Sequence, residues 1–342
     1  MRIFRHYDAL PEDARGAAVA IGNFDGVHRG HQAVIHEAGV IARDQGRPWA
    51  VLTFEPHPRK LFQPDQAPFR LTPFRTKVRE IAQLGCDLLI VQRFNEAFSR
   101  LGAVDFVEGA LVRGLQATHV VSGYDFVFGH KRTGNCELLL GMGAKQGFGF
   151  TCVNAVEDET GGVFSSTRVR ESLGQGDPAG ARAVLGRDFE LEGRVIKGEA
   201  RGHKIGFPTA NIHLGPFLRP RKGVYAVRVA IEEAPGEAAR PGVPPGNKKS
   251  GEARTGTKEE AGADGEPDWR NGVANIGVRP TFGGEDVVLE VFLFDFDGDL
   301  YGRRLRVRLI DFLRDEKKFD GLDELKAQIA SDSESARKIL AA

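Results

Sequence analysis

The sequence is poor in cysteine, in charge imbalance and in long apolar runs, and each shortage closes a class of function. Three cysteines, Cys86, Cys136 and Cys152, stand far apart, without a C-x-x-C pair. They propose neither a zinc site nor a disulfide framework and read as buried free thiols in a reducing compartment. Basic and acidic side chains number 47 each, so the formal charge is zero. A dedicated nucleic-acid binder draws most of its affinity from phosphate neutralisation and carries a basic surplus, which is missing here. No run approaches the ~18 consecutive apolar residues of a membrane span. Met1–Ala18 mixes charges with apolar positions and shows no signal-peptide core. The expectation is a cytoplasmic protein with neither nucleic acid nor membrane as partner, self-association being left open.

What is present is a chain of 342 residues, 41% hydrophobic and 27% charged, long enough for two cores. The first half alternates apolar runs with helical patterns. Ala18–Ile21, Ala50–Phe54, Leu88–Val91 and His119–Ser122 read as buried strands; Gln32–Gln45, Thr76–Leu84 and Ala103–Gly114 read as helices. Strands and helices in this alternation imply a parallel sheet with right-handed crossovers and ligands at the strands' carboxyl ends. A further helix, Pro178–Leu185, has Asp177 to cap it, and the character changes near residue 186. Beyond it come Phe189–Ile196, Gly223–Ile231, Val273–Ile276, Val287–Phe296 and Leu305–Phe312, strand-like runs punctuated by turns, which predict an antiparallel β-barrel or sandwich. A helix over Leu322–Leu340 closes the chain. Glu232–Asp268 is rich in Gly, Ala, Pro, Glu and Lys and reads as a disordered insertion between two strands. The domains are thus 1–186 and 187–342, with the insertion at 232–268.

Two constellations carry chemistry. Gly22, Asn23, Phe24, Asp25 and Gly26 lead from the first strand through His28 and Gly30 to His31 at the start of a helix. The glycines let the backbone approach a ligand, and the helix end offers free N–H groups to a polyphosphate. Two histidines three apart on that first turn can face the same oxyanions, as nucleotidyl transfer from ATP requires. Ser165, Ser166 and Thr167, at another helix start and followed by Arg168 and Arg170, make a second anion site or a plain cap with solvated arginines. Thr53–Arg59 and Gly123–Gly129 follow strand ends and are placed to line the same cleft.

The second constellation is Gly198–Asn211, a loop dense in glycine and basic residues, in which Thr209 and Asn211 could each point an oxygen at Mg²⁺. Glu290 lies in a run that is apolar on both faces. A carboxylate is costly to place there without a task, which suggests a general base; the alternative is an ion pair with Arg279 or Arg308.

Taken together, the chain resembles the bacterial bifunctional riboflavin kinase/FMN adenylyltransferase (FAD synthetase) family. The resemblance rests on G-N-F-D-G-V-H-R-G-H, T-F-E-P-H-P-R, G-x-D-F-x-F-G and S-S-T-R-V-R in the first half. In the second half it rests on G-F-P-T-A-N, G-V-Y, N-I-G-x-R-P-T-F, the glutamate strand, D-L-Y-G and F-L-R. It implies an α/β Rossmann-like nucleotidylyltransferase domain followed by an antiparallel β-barrel riboflavin kinase domain with a C-terminal helix. The implied reactions are phosphorylation of riboflavin to FMN and adenylylation of FMN to FAD, both at the expense of ATP. Carried onto this sequence, His28 and His31 would steady phosphates, and Asn23 and Asp125 would line the nucleotide and flavin cleft. Ser166, Thr167 and Arg168 would bind phosphate. Gly202, Gly206 and Pro208 would wrap the kinase nucleotide, Thr209 and Asn211 would hold Mg²⁺-ATP, and Glu290 would be the base. Tyr124, His203 and Phe292 depart from the family pattern, standing where an aspartate, an arginine and a histidine are common.

Overall fold

The computed structural model describes residues 1–196, 207–232, 267–281 and 284–341. Gly202, His203, Gly206 and most of the expected insertion lie outside the described residues. The chain divides into two compact units, one holding Met1–Ser172, Gly180–Arg187 and Pro216–Leu218, the other the rest of the described chain.

The first unit is a six-stranded, all-parallel sheet. Its strands are β1 (Arg2–Phe4), β2 (Ala18–Ile21), β3 (Trp49–Glu55), β4 (Leu88–Arg93), β5 (His119–Gly123) and β6 (Gly149–Val153), in the order β1-β4-β3-β2-β5-β6. Along the strands alternate residues feed two cores. Val19, Ile21, Leu52 and Ile90 pack on one face, and Ala18, Ala20, Val51 and Leu89 on the other. Both faces are covered, so the central strands read as continuous apolar runs. The helices are α1 (Arg29–Gln45), α2 (Pro58–Phe62), α3 (Phe74–Gln83), α4 (Glu96–Ser99), α5 (Ala103–Phe106), α6 (Cys136–Gln146), α7 (Ser166–Gln175) and α8 (Pro178–Leu185). The predicted helix Ala103–Gly114 is only briefly α-helical, since Val107–Gly114 winds as a π-helix. Chain direction across the sheet reverses between β2 and β5, which pair directly from Ala18↔His119 to Ala20↔Val121. The crevice beyond their carboxyl ends is the topological switch point where such sheets bind ligands.

The second unit is a closed barrel of β7 (Phe189–Ile196), β8 (Ala210–His213), β9 (Gly223–Glu232), β10 (Trp269–Thr281), β11 (Gly284–Leu293) and β12 (Arg304–Arg314), with α9 (Leu322–Leu340) packed against it. Rungs such as Ile276–Leu289–Ile212–Val195 run across four strands, each residue at most 4% exposed. Three expectations need correction. Ala210–His213 is a strand rather than the tail of a loop. The run Val287–Phe296 pairs only as far as Leu293, and the short Val273–Ile276 extends to Trp269–Thr281.

The sequence showed Val287–Leu293 to be apolar on both sides, and the barrel explains why. Leu289 and Val291 belong to the rungs of the barrel core, whereas Phe292 joins Val224, Ala226 and Val273 under α9. Glu290 shares that second face, half-buried, and is not inside the barrel.

Candidate active sites

The loop after β2 is strained and over-determined. Phe24, Gly26 and Val27 all have positive φ, at 49°, 95° and 44°, and for a β-branched residue such as Val27 that conformation is an outlier. A side chain at Gly22 would meet the Phe24 ring at 2.9 Å. Many contacts hold the loop. The Gly26 N–H donates to Thr72 Oγ1 at 2.8 Å, Gln32 donates to the Val27 carbonyl at 2.8 Å, and Arg187 donates to the Gly26 carbonyl at 2.8 Å.

Asp25 is the loop's anchor. Its carboxylate is 3% exposed. It accepts from the Leu71 and Thr72 N–H groups and pairs with Arg170 at 2.6 Å and Arg70 at 3.5 Å. Burial works to raise its pKa, but Arg70 and Arg170 prevail and hold it below the usual carboxylate range. Arg70 also grips Glu55 in a bidentate pair, and the wholly buried Lys77 meets Glu55 at 2.9 Å. In this node three cations face two carboxylates, so one positive charge is in excess.

The loop delivers His28 to the N-cap of α1, where its Nδ1 accepts the His31 N–H at 3.3 Å. With Nδ1 accepting, the neutral ring carries its proton on Nε2. The two imidazoles stack, with centroids 3.6 Å apart and planes at 24°. Burial is the main reason both are poor bases: His28 is pushed down to about 4, and His31 falls well below its ordinary value, lowered further by His28 and Lys77. Both line a cleft of about 330 Å³ with Gly22, Asn23, Phe24, Tyr124, Asp125, Ser165, Ser166 and Thr167.

Of the sequence-predicted residues, Asp25, Gly26 and Arg168 do not line this cleft. Arg168 is engaged with Asp158 at 2.5 Å, and Ser165 caps α7 by accepting the Arg168 N–H. Ser166 donates its hydroxyl to the Asp25 carbonyl at 2.7 Å, tying the second helix start to the loop. Asn23, Phe126, Val127 and Arg132 are shared with a larger cavity of about 870 Å³. Its walls include Phe54, Phe94, Phe98, Phe106, Phe126 and Phe128, with His57 and Arg59 at the polar side. Thr53–Arg59 and Gly123–Gly129 therefore line one connected space.

In the barrel, Glu290 stands on a single rung with Asn211 of β8 and Asn275 of β10. Directly opposed residues of antiparallel strands share a face, so three polar side chains line up. Asn211 is buried, and Asn275 donates to Glu316 at 3.2 Å. Glu290, Asn275 and Thr209 line a depression of about 190 Å³ whose other walls include Phe207, Phe292, Phe319, Leu325 and Ile329. Thr209 also borders a second depression of about 350 Å³, formed with Pro208 and the Phe296–Tyr301 turn.

Comparison with known proteins shows the family of the chain. Residues 10–168 match the FAD synthetase family, and residues 185–340 match the riboflavin kinase family. The chain is 40% identical over 324 residues to the bifunctional riboflavin kinase/FMN adenylyltransferase of Escherichia coli (strain K12), covering 94% of this chain and 92% of that protein. It belongs to the bifunctional riboflavin kinase/FMN adenylyltransferase family. The Bacillus subtilis (strain 168) member is 34% identical over 342 residues, covering 98% and 96% of the two chains. Among solved structures, one titled macrolide-efflux protein from Streptococcus pneumoniae superposes with a TM-score of 0.77 at 28% identity, over 98% of each chain. Among the described residues no helix is long and apolar enough to cross a membrane.

Several residues that build the clefts of this family member escaped sequence reasoning. Asn275 left a trace, as a polar side chain inside an apolar run. Arg170 was legible only as the second arginine of S-S-T-R-V-R, an anion-site candidate, and its bond to Asp25, 145 positions away, was not. Arg70 and Lys77 left no trace, since the Glu55 and Asn23 they bind lie 15 and 54 positions away.

Proposed function

We propose that the chain makes FMN from riboflavin at the barrel rung, within residues 187–342, and FAD from FMN at the switch-point cleft, within residues 1–186. The observation that carries the reading is the His28–His31 stack at the head of α1. It shares one cleft with Ser165–Thr167 and lies next to a phenylalanine-walled cavity.

In the adenylyl transfer, a phosphate oxygen of FMN attacks the α-phosphorus of ATP and pyrophosphate departs. Negative charge builds on oxygens beside the α1 N-terminus, where the His28 Nε2–H and the backbone N–H groups of the first turn can donate. The surplus positive charge of the Lys77–Arg70–Arg170 node lies under the same loop and favours a polyphosphate. The apolar cavity takes the isoalloxazine ring, and Asn23 and Arg132 stand at its junction with the phosphate cleft.

In the kinase, Glu290 accepts the proton of the ribityl 5′-hydroxyl as that oxygen attacks the γ-phosphorus, and ADP leaves. The aromatic depression under α9 suits the flavin ring, and the Phe296–Tyr301 side suits the nucleotide. Thr209 and Asn211 supply two neutral, hard oxygen donors. That set fits Mg²⁺, which takes few protein ligands and shares substrate phosphates. Bound there, the ion would neutralise charge on the phosphates. Among the described residues no cluster of three His, Cys, Asp or Glu side chains offers a cage of its own.

Incubation with riboflavin, ATP and Mg²⁺ should yield FMN first and FAD later, and incubation with FMN and ATP should yield FAD and pyrophosphate. Absence of both flavin products would end this reading.

A further inference from the structure

Cys136 and Cys152 are remote in sequence yet adjacent in space. Cys136 is the first residue of α6, directly after the capping Asn135, and Cys152 lies in β6, paired in register with Ser122 of β5. Their Sγ atoms are 2.6 Å apart. The expectation of three buried thiols therefore holds only for Cys86; Cys152 is exposed and Cys136 half-buried.

The pair sits behind the nucleotide cleft. Cys136 Sγ lies 3.5 Å from the Gly123 carbonyl and 3.6 Å from Ser122 Oγ. Gly123 opens the segment that carries Tyr124 and Asp125 to the cleft, and the Tyr124 N–H donates at 2.9 Å to the carbonyl of Val153, the residue after Cys152. One sulfur thus touches this segment directly, and the other belongs to the strand whose next residue accepts the segment's Tyr124 N–H.

We propose that Cys136 and Cys152 form a reversible disulfide that restrains Gly123–Asp125 and slows adenylyl transfer. The second half of this statement rests on the cleft's assignment to FAD formation. With a low-molecular-weight disulfide such as oxidised glutathione, the exposed Cys152 thiolate attacks one sulfur and releases one glutathione thiolate. The Cys136 thiolate then attacks the Cys152 sulfur of the mixed disulfide and releases the second. Two protein thiols are oxidised, one glutathione disulfide is reduced to two thiols, and the two cysteine protons pass to the released thiolates. Burial, with the neighbouring Cys136, pushes the Cys152 thiol up to about 12, so the exchange accelerates as pH rises.

The test uses the full chain, incubated with oxidised glutathione and then read by peptide mass mapping and by separate assays of the two reactions. The expected result is a linked Cys136–Cys152 peptide pair, with FAD formation from FMN reduced roughly tenfold. FMN formation should be unchanged, and dithiothreitol should restore the rate. Cys152→Ser and, independently, Cys136→Ala should keep their full rate in the oxidant. Absence of the linked peptides overturns the site, and linkage without a change in FAD formation overturns the restraint. If the reduced protein made no FAD at all, the cleft's assignment would fail, while the mass map would still decide the disulfide.

Discussion

The Lys77 ammonium, wholly buried, donates to the Asn23 carbonyl at 2.8 Å. One side chain thereby fixes the backbone of a residue that lines both cavities and pairs with Glu55 as well. Lys77→Met should remove both links. Leaving a buried carboxylate short of a partner costs about 3 kcal/mol, eased by the remaining Arg70. The expected outcome is a lower unfolding midpoint together with a raised KM for ATP in FAD formation, FMN formation keeping its rate. An unchanged KM would detach Lys77 from the cleft.

Removing His28 should separate the two reactions. His28→Ala should reduce FAD formation by roughly a hundredfold or more and leave FMN formation intact. Because His28 also caps α1, alanine costs about 1 kcal/mol in helix stability. His28→Asn keeps a capping side chain and should be equally impaired in FAD formation, which assigns the loss to the lost donor. Recovery of activity in the asparagine variant would assign it to the cap.

The same histidines set a pH dependence of stability. His28 and His57 are pushed down to about 4 by burial, and His31 moves the same way. Between there and the ordinary value of about 6.5, the unfolded chain binds protons that the folded chain does not. Their contribution is therefore complete above about pH 6.5 and is lost as pH falls toward 4, by up to about 1.4 kcal/mol per pH unit per histidine. Urea midpoints at pH 7 and pH 5 should differ accordingly, and His28→Asn should flatten the difference. Anion binding raises histidine pKa values, so affinity for a polyphosphate should increase as pH falls over the same interval.

Glu290→Gln keeps the shape of the rung and removes the base. FMN formation should drop by about two to four orders of magnitude, while FAD formation from supplied FMN should be unaffected. An unaltered kinase rate would transfer the proton-accepting role elsewhere.

Legibility in the sequence followed burial. β2 to β5 were readable because a parallel strand covered on both faces is written as an apolar run, as Ala18–Ile21 shows. The edge strands Arg2–Phe4 and Gly149–Val153 were not, being short, exposed or half-buried, and mixed in character. Ala210–His213 alternates apolar and polar residues but was hidden because it is only four residues long and follows directly on the glycine-rich loop. The histidine loop announced itself through its glycines. The cavity wall was legible in part: Phe54, Phe126 and Phe128 lie in the two strand-end segments expected to share a cleft, whereas Phe94, Phe98 and Phe106 are scattered between them and meet the others only through the crossovers. Lys77 and Glu80 sit at helical spacing and look like solvated charges, yet both are buried against partners that no spacing rule names.

The Asn211–Glu290–Asn275 rung draws its members from three different strands, and side chains along a strand switch faces at every residue. A slip of one position between any two of these neighbours would turn one of the three away from the others. The proposed kinase chemistry is therefore welded to the alignment of β8, β11 and β10. Substitutions that merely loosen their hydrogen-bond ladder should silence the first flavin step while the protein remains folded, and the parallel sheet should go on converting any FMN it is given.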